Sequence, residues 1–132
     1  MREVVIIDAV RTAIGRMGGT LKEIEVDFLA EKVIREILAR TGIEAQTVDE
    51  VILGQAKQSS DTPNLARLAA LRAGMPVEVP AYTVHRQCGS GLQAIHNAAQ
   101  QIQCGLADVV IAGGAESMST APYYLRGVRY GL

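Results

Sequence analysis

The stretch VPAYTVHRQCGSGLQAIHNAAQQIQC, residues 79–104, places an apolar extended run directly before an amphipathic one. Residues 79–84 have the β-branched and aromatic composition of a strand. After a short polar turn, a helix is expected to begin at Cys88 or Gly89 and to run to Cys104. Its apolar stripe follows the helical period and consists of Leu92, Ile95, Ala99 and Ile102. The stretch therefore predicts a strand–helix unit with a cysteine at the junction.

Three further strands are predicted on either side of this unit. Val4–Val10 is almost unbroken in β-branched residues, which is typical of a strand buried on both faces. Val48–Leu53 and Asp108–Ala112 are shorter apolar runs of the same kind. Within the strand at 79–84, Pro80 indicates either an edge strand or a strand beginning, because proline cannot donate to a neighbour.

Two more helices are predicted between these strands. The first begins near Asp27, whose side chain suits an N-cap, and stops at Gly42. Its single apolar face consists of Ala30, Val33, Ile34, Ile37 and Leu38. The second begins at Thr62 as N-cap with Pro63 as its first residue, and it ends before Gly74.

Strands that alternate with helices predict βαβ units, a mostly parallel sheet and an α/β fold with helices on both faces. If the strand order reverses after the strand at 79–84, one face carries two helices and the other face only one. A doubly wound sheet needs both faces covered. We therefore expect an incomplete fold, with apolar surface left for something that these residues do not supply.

Composition excludes several classes of protein. The 132 residues are 48% hydrophobic and 20% charged, with a net charge of −1, and their basic residues are scattered. This pattern indicates neither nucleic-acid binding nor binding to an anionic membrane. No apolar run is long enough to span a bilayer, and the run at residues 4–7 stops at Asp8, too early for a signal-peptide core. Two cysteines are too few for a disulfide framework, so a cytoplasmic location is expected.

Cys88 is the leading candidate for chemistry. Free N–H groups and the positive end of the helix dipole stabilise a thiolate at the start of a helix. Gly89 and Gly91 leave room for close approach of a ligand, Ser90 suits a helix cap, and Arg86 adds positive charge if it points inward. Such a junction suits covalent acyl transfer. Position alone leaves open that Cys88 is a small buried hydrophobe. We interpret Cys104 as a residue of core or surface packing.

Other candidate residues carry weaker signals. His96 lies eight residues after Cys88, about 12 Å along a helix, which is too far for it to act as the base. His85 is closer, but a hydrogen-bonded structural histidine is the simpler interpretation. The spacing of His and Cys matches no metal site. Gly113-Gly114 follows a strand without GxGxxG, so phosphate binding is only weakly indicated.

Three motifs resemble the thiolase family. DAVRTAIGR at residues 8–16 is similar to the opening thiolase signature, in which proline is frequent at the position of Ala13. VHRQCGSGLQA at residues 84–94 resembles the segment around the acylated cysteine of thiolases. GGAESMS at residues 113–119 resembles the family's GG-x-E-S-M-S stretch, and NLAR at 64–67 and GMP at 74–76 also fit. The motifs occur in the family's order along the whole chain.

The resemblance implies two similar halves packed as αβαβα layers, with a loop domain inserted in the first. It implies a reaction that joins two acyl-CoA molecules into a 3-ketoacyl-CoA, or cleaves that product with coenzyme A, without a permanently bound cofactor. It assigns the acyl-carrying role to Cys88. In the family, a histidine of a GHP motif activates this cysteine, and a second cysteine in a CxG motif handles the α-proton of the other substrate. That CxG turn forms an oxyanion hole with the amide of the nucleophile.

The chain lacks several parts that the resemblance implies. GHP does not occur in it, and Cys104-Gly105-Leu106 ends a helix, so it does not correspond to the late CxG motif. His85 stands where thiolases usually have asparagine. Residues 1–132 are therefore expected to be a partial N-terminal thiolase domain whose loop region begins near 117–132, with no C-terminal domain.

Three functional hypotheses follow. The first is a thiolase part that supplies the nucleophile and needs a complementary C-terminal chain, so that residues 1–132 alone do not turn over. The second is a non-catalytic module that only dimerises, as a homo-oligomer, or binds a partner. In thiolases the strand matching Val79–Val84 pairs across a two-fold axis. The third is a related condensing enzyme such as a ketoacyl synthase, which the motifs at 8–16 and 88–91 disfavour.

Overall fold

A computed structural model describes residues 2–131 and contains one parallel sheet of three strands. The strands are β1 (Glu50–Gly54), β2 (Ala81–Val84) and β3 (Val110–Gly114), in the spatial order β2–β1–β3. The central strand β1 is paired in parallel with both neighbours. The sheet is therefore parallel, as the alternation of strands and helices predicts.

Three α-helices connect and cover these strands: α1 (Val26–Thr41), α2 (Leu65–Arg72) and α3 (Ser90–Gln103). A short 3-10 turn, Ala45–Thr47, lies before β1. The strand order reverses after β2, because β3 lies on the opposite side of β1 from β2.

The side chains of β1 alternate between the two faces of the sheet, as the period of a strand requires. Val51 and Leu53 lie in a buried cluster with residues of α1 and α2. Ile52 points to the other face, where it packs with Ala94 and Ala98 of α3. Two helices therefore belong to one face and one helix to the other, which is the asymmetry expected when the strand order reverses after β2.

The prediction that Asp27 caps α1 is wrong. The helix begins one residue earlier, at Val26, and its N-cap residue Glu25 makes no side-chain capping bond. Asp27 lies in the first turn, where its carboxylate is buried and forms a 2.5 Å ion pair with Arg72 of α2. The stop at Gly42 is confirmed, since its φ of 68° is left-handed and its N–H donates to Leu38 O.

The cap of α2 also differs from the prediction. Asn64, two residues after Thr62, is the N-cap, and its Oδ1 accepts from Arg67 N at 3.1 Å. The same side chain accepts from Thr83 Oγ1 at 2.8 Å and donates to Ala81 O at 3.0 Å. Asn64 therefore joins α2 to β2, which a local capping argument does not anticipate.

The predicted first strand, Val4–Val10, is not a strand in the structure. Its side chains Val5, Ile6 and Ile7 are 68%, 80% and 67% exposed. The segment is held by ion pairs between Arg2 and Asp108 and between Asp8 and Arg40, beside β3 but not paired with it. The β-branched composition favours an extended chain, but a strand also needs a hydrogen-bonding neighbour.

The start of β3 is fixed by the carboxylate of Asp49. Its Oδ2 accepts from Asp108 N at 2.7 Å and from Val109 N at 3.0 Å. The hydrogen bond from Val109, and then that from Asp108, lowers the pKa of Asp49 below its usual range, against a small opposing effect of burial. A lowered pKa in the folded state stabilises the fold above the unfolded pKa of about 3.9 and ceases to do so as pH falls through the folded value.

Asp49→Asn is therefore expected to destabilise the chain at pH 7 and to have little effect near pH 2. Because Asp49 is exposed, we expect a loss of no more than about 1 kcal/mol. Urea denaturation at both pH values measures the difference. Asp61→Asn, an exposed loop substitution that removes the same charge, is the control. An equal loss at the two pH values would contradict the assignment.

Candidate active site at the junction of β2 and α3

Cys88 lies on the turn between the last residue of β2, Val84, and the first residue of α3, Ser90. The turn is at the carboxyl end of the parallel strands. In open α/β sheets this edge is where ligands bind. Cys88 is exposed, so the interpretation of this cysteine as a small buried hydrophobe is wrong.

Ser90 holds the turn in place. Its Oγ accepts from Arg86 N at 2.8 Å and donates to Gln87 O at 2.6 Å, and its side chain is buried. Gly89 N donates to Arg86 O and Ser90 N donates to Gln87 O, both at 3.1 Å. Ser90 was expected to cap α3, but Gly89 is the N-cap and Ser90 instead joins both sides of the cysteine turn.

Gln87 has a φ of 48°, in the left-handed region that non-glycine residues seldom occupy. It is the only non-glycine residue with positive φ in the described range, 2–131. Such a conformation persists where surrounding bonds fix it, and it is enriched at functional sites. The left-handed conformation of Gln87 and the two hydrogen bonds of Ser90 Oγ therefore hold Cys88 in a fixed position on the turn.

The guanidinium of Arg86 is not a free positive charge beside the thiol, because it is hydrogen-bonded to α3. Its guanidinium donates to Gln93 Oε1 on α3, and Gln93 in turn donates to Asn97 Oδ1 at 2.8 Å. Asn97 then donates to Tyr82 OH of β2 at 3.1 Å. Arg86 thus begins a chain of polar contacts that joins the turn and β2 to the side of α3.

The two histidines and the second cysteine lie apart from one another. His96 is exposed on α3, and Cys104 is exposed at the far end of that helix. A helix of 14 residues is about 21 Å long, so Cys88 and Cys104 are too far apart for a disulfide. His85 is exposed, and among residues 2–131 its imidazole has no hydrogen-bond partner, so the expected structural hydrogen bond is not found.

Glu116, in the GGAESMS motif, fixes the loop that follows β1. Its carboxylate accepts from Ala56 N at 2.7 Å and from Lys57 N at 3.2 Å. Gly113 and Gly114 are the last residues of β3 and belong to the sheet, not to a loop around a phosphate. The role of Glu116 was missed because its partners are 60 residues away in the sequence.

No group of three or more His, Cys, Asp or Glu side chains is arranged to hold a metal ion within residues 2–131. In that same part of the chain, no helix has the length and apolar character needed to cross a bilayer.

Ser90→Ala is expected to lower the free energy of unfolding by about 1–3 kcal/mol, because two part-buried hydrogen bonds are lost, one from Arg86 N and one to Gln87 O. Urea denaturation measures the loss. Ser60→Ala, in an exposed loop, is the matched control and should change stability by less than about 0.5 kcal/mol. If Ser90→Ala lowered the stability no more than the control does, Ser90 would not be holding the cysteine turn in place.

The fold and the site together define a class: a layered α/β protein with a cysteine on the turn between an edge strand and a helix. The family model described as "Thiolase, N-terminal domain" matches residues 4–132. The chain therefore belongs to the thiolase family, through its N-terminal domain. This result also decides between a thiolase and a ketoacyl synthase in favour of the thiolase.

Several relatives and one solved structure support this assignment. The chain is 52% identical over 132 residues to an acetyl-CoA acetyltransferase of Pseudomonas aeruginosa, covering 100% of this chain and 34% of the relative. It is 48% identical to the beta-ketothiolase BktB of Cupriavidus necator, covering 98% and 33%. The crystal structure of the Bacillus anthracis acetyl-CoA acetyltransferase matches with a TM-score of 0.85 at 51% identity, over 89% of this chain and 30% of that chain. The chain spans about one third of the length of these curated relatives.

Proposed function

We propose that this chain supplies the acyl-accepting nucleophile, Cys88, of a thiolase that forms or cleaves a 3-ketoacyl-CoA. One observation carries the proposal: an exposed cysteine is held by buried Ser90 at the carboxyl edge of a parallel sheet. Membership of the thiolase family and the acetyl-CoA acetyltransferases among the relatives support the same chemistry.

The proposed reaction exchanges one thioester for another. Cys88 Sγ attacks the thioester carbonyl of an acyl-CoA, the bond between that carbon and the coenzyme A sulfur breaks, and coenzyme A leaves as a thiol after taking a proton. In the synthetic direction, the α-carbon of a second acyl-CoA loses a proton, attacks the acyl-cysteine and releases Cys88. Cleavage is the reverse. Coenzyme A and acyl-CoA are substrates, and no resident cofactor is required.

The proposal requires proton-transfer groups from outside this chain. Neither His85 nor His96 is paired with Cys88 in the described residues, and the family resemblance assigns the base to a GHP histidine. We propose that this histidine, the second cysteine and the C-terminal domain lie in the two thirds of the relatives' length that residues 1–132 do not match. We also propose that the loop region begins at 117–132. Residues 117–131 contain no helix or strand, and Leu132 lies outside the described residues.

A large cleft supports the need for a complementary chain. It lies between residues 4–17 on one side and β3, α1 and α3 on the other, with a volume of about 1020 Å³ and a mostly apolar lining. We call it the N-terminal cleft. The edge of β3 that faces away from β1 has no strand neighbour among residues 2–131, and this edge borders the cleft.

The N-terminal cleft separates the edge of β3 that has no strand neighbour among residues 2–131 from the β-branched segment at 4–10. A free strand edge and a β-branched segment both favour pairing with another strand. We propose that a strand of the complementary thiolase chain fills this place and pairs with both β3 and the β-branched segment at 4–10.

Thiolysis of acetoacetyl-CoA tests the proposed function. The chain alone is expected to give no turnover. Mixed with the separately produced C-terminal two thirds of the Pseudomonas aeruginosa relative, it is expected to cleave the substrate in proportion to the complex formed. A complex that forms with full occupancy but gives no turnover would contradict the enzymatic proposal.

A second candidate function is a module that only binds a copy of itself or a partner. The observation that favours it is that β2 is an edge strand, with one neighbour among the described residues. Exposed strand edges pair readily with other chains. Two results together would favour this binding module over the enzyme. The chain would sediment as a dimer, and the mixed complex would give no turnover.

A cytoplasmic location is part of the proposal. Cys88 and Cys104 are both free and exposed. Free exposed thiols persist in reducing compartments and are prone to oxidation outside them.

A further inference from the structure

Three glycines from three different elements meet beside the turn that carries Cys88. They are Gly54 at the end of β1, Gly114 at the end of β3 and Gly91 in the first turn of α3. A Cβ placed on Gly54 would lie 2.3 Å from Ser90 C and 2.4 Å from Gly91 N. A Cβ placed on Gly114 would lie 3.0 Å from Gly54 O and 3.2 Å from Gly91 Cα. The start of α3 therefore rests directly on the backbone of β1, without a side chain between them.

The end of β1 is fixed from both sides. Gly54 is in register with Val84 of β2 and with Gly114 of β3. Just past the strand, Gln55 N donates to Val84 O at 3.0 Å, and Ala115 N donates to Gly54 O at 3.1 Å. Because β1 is paired on both edges, a side chain added at Gly54 displaces the start of α3 more easily than it displaces the strand.

The size of this displacement follows from the contact distances. Ordinary contacts of a Cβ begin at about 3.4 Å, so a Cβ at 2.3 Å from Ser90 C requires a separation of roughly 1 Å. Ser90 Oγ is bonded to Arg86 N and to Gln87 O, so the cysteine turn moves together with Ser90. A side chain at Gly54 therefore shifts Cys88 relative to the carboxyl edge of the sheet.

We propose that Gly54 is a positioning residue for Cys88, with Gly114 as its weaker partner. Because Gly54 has no side chain, the cysteine turn lies close to the carboxyl edge of the sheet. This distance between the turn and the sheet aligns Cys88 Sγ with the thioester carbonyl. This role deepens the proposed function and rests on it. A misplacement of 1 Å in a reacting group costs on the order of 10²-fold in rate.

The first arm of the test measures position without relying on activity. The variants are Gly54→Ala, Gly114→Ala and, as control, Gly113→Ala, whose added Cβ meets Leu53 Cδ2 at an ordinary 3.8 Å. In ¹⁵N-labelled chain, the amide resonances of residues 86–92 are expected to move most for Gly54→Ala, less for Gly114→Ala and least for Gly113→Ala. Changes confined to Ser90 and Gly91, which the added Cβ of residue 54 touches directly, with none at residues 86–89, would overturn the proposal. If Gly54→Ala does not fold, the comparison of Gly114→Ala with Gly113→Ala decides.

The second arm separates positioning from general damage to the fold. In the complex with the complementary chain, iodoacetamide alkylation of Cys88 reports its exposure, and acylation by acetyl-CoA reports its alignment. Gly54→Ala is expected to lower the acylation rate by about 10²-fold and to change alkylation by less than about threefold. A parallel fall in both rates, or no fall in acylation, would overturn the proposal.

The two arms also distinguish the two proposals. If the unsubstituted complex does not acylate Cys88, the proposed function fails, and the amide resonances still decide whether Gly54 sets the position of the turn. If the unsubstituted complex acylates and Gly54→Ala acylates equally fast, the proposed function stands and the positioning role of Gly54 is wrong.

Discussion

Replacing Cys88 by serine is expected to lower acyl transfer in the complex with the complementary chain by about 10⁴-fold or more. The hydroxyl of serine is far less ionised than a thiol, and removal of a covalent nucleophile produces losses of this order or larger. The measurement is the initial rate of acetoacetyl-CoA thiolysis at saturating complementary chain. Binding of that chain is expected to be unchanged, because Cys88 is exposed on a turn and contributes nothing to the buried core.

Cys104→Ser is the matched control for this prediction. Cys104 is also free and exposed, but it lies at the opposite end of α3, about 21 Å of helix away from the turn. Its substitution is expected to leave the thiolysis rate within about twofold. A large loss with Cys104→Ser, or a small one with Cys88→Ser, would contradict the assignment of the nucleophile.

Ile52→Ala is expected to destabilise the chain by about 2–5 kcal/mol. Ile52 is fully buried, and it is the β1 side chain that packs with Ala94 and Ala98 beneath α3. Shortening it leaves a cavity between two alanines that are too small to fill it. Because whole domains are stable by only about 5–15 kcal/mol, this loss is a large share of the total. The midpoint of urea denaturation, with its slope, measures the effect.

Ile52→Val provides the graded control, since it removes a single methylene group. It is expected to cost about 0.5–1.5 kcal/mol. Nearly equal costs for Ile52→Ala and Ile52→Val would show that the packing of α3 on the sheet does not depend on this residue. That result would contradict the account of how α3 is held.

The elements that depend on local sequence were predicted well. Gly42 ends α1 through a left-handed φ, as the sequence indicates. The alternation of apolar runs and amphipathic stretches predicted the parallel sheet, whereas the two-to-one distribution of helices followed only on the condition that the strand order reverses. These features depend on side-chain period and on single-residue backbone preferences, both of which can be read from neighbouring residues.

The elements that depend on distant partners were not predicted. Val4–Val10 has the composition of a strand, but a strand forms only beside a neighbour, and the described residues supply none for it. The cap of α2 was assigned to Thr62, while Asn64 is favoured because it also bonds to β2. The contact between Gly54 and the start of α3 joins residues 36 positions apart, and no local pattern indicates it.

The candidate site was predicted in part. The motif at 84–94 pointed to Cys88 and to its place between a strand and a helix. It did not indicate that Ser90 holds the turn or that Gln87 adopts a left-handed conformation, because both depend on the closed geometry of the turn.

The central claim is that Cys88 carries the acyl group, and its most direct test is to trap that intermediate. The complex is incubated with acetyl-CoA, quenched in acid and digested, and the acetylated peptide is identified by mass spectrometry. The account predicts one acetyl group on Cys88, removed by neutral hydroxylamine as a thioester is, with release of an equal amount of coenzyme A. An acetyl group on another residue, or release of coenzyme A with Cys88 unmodified at every time point, would contradict it.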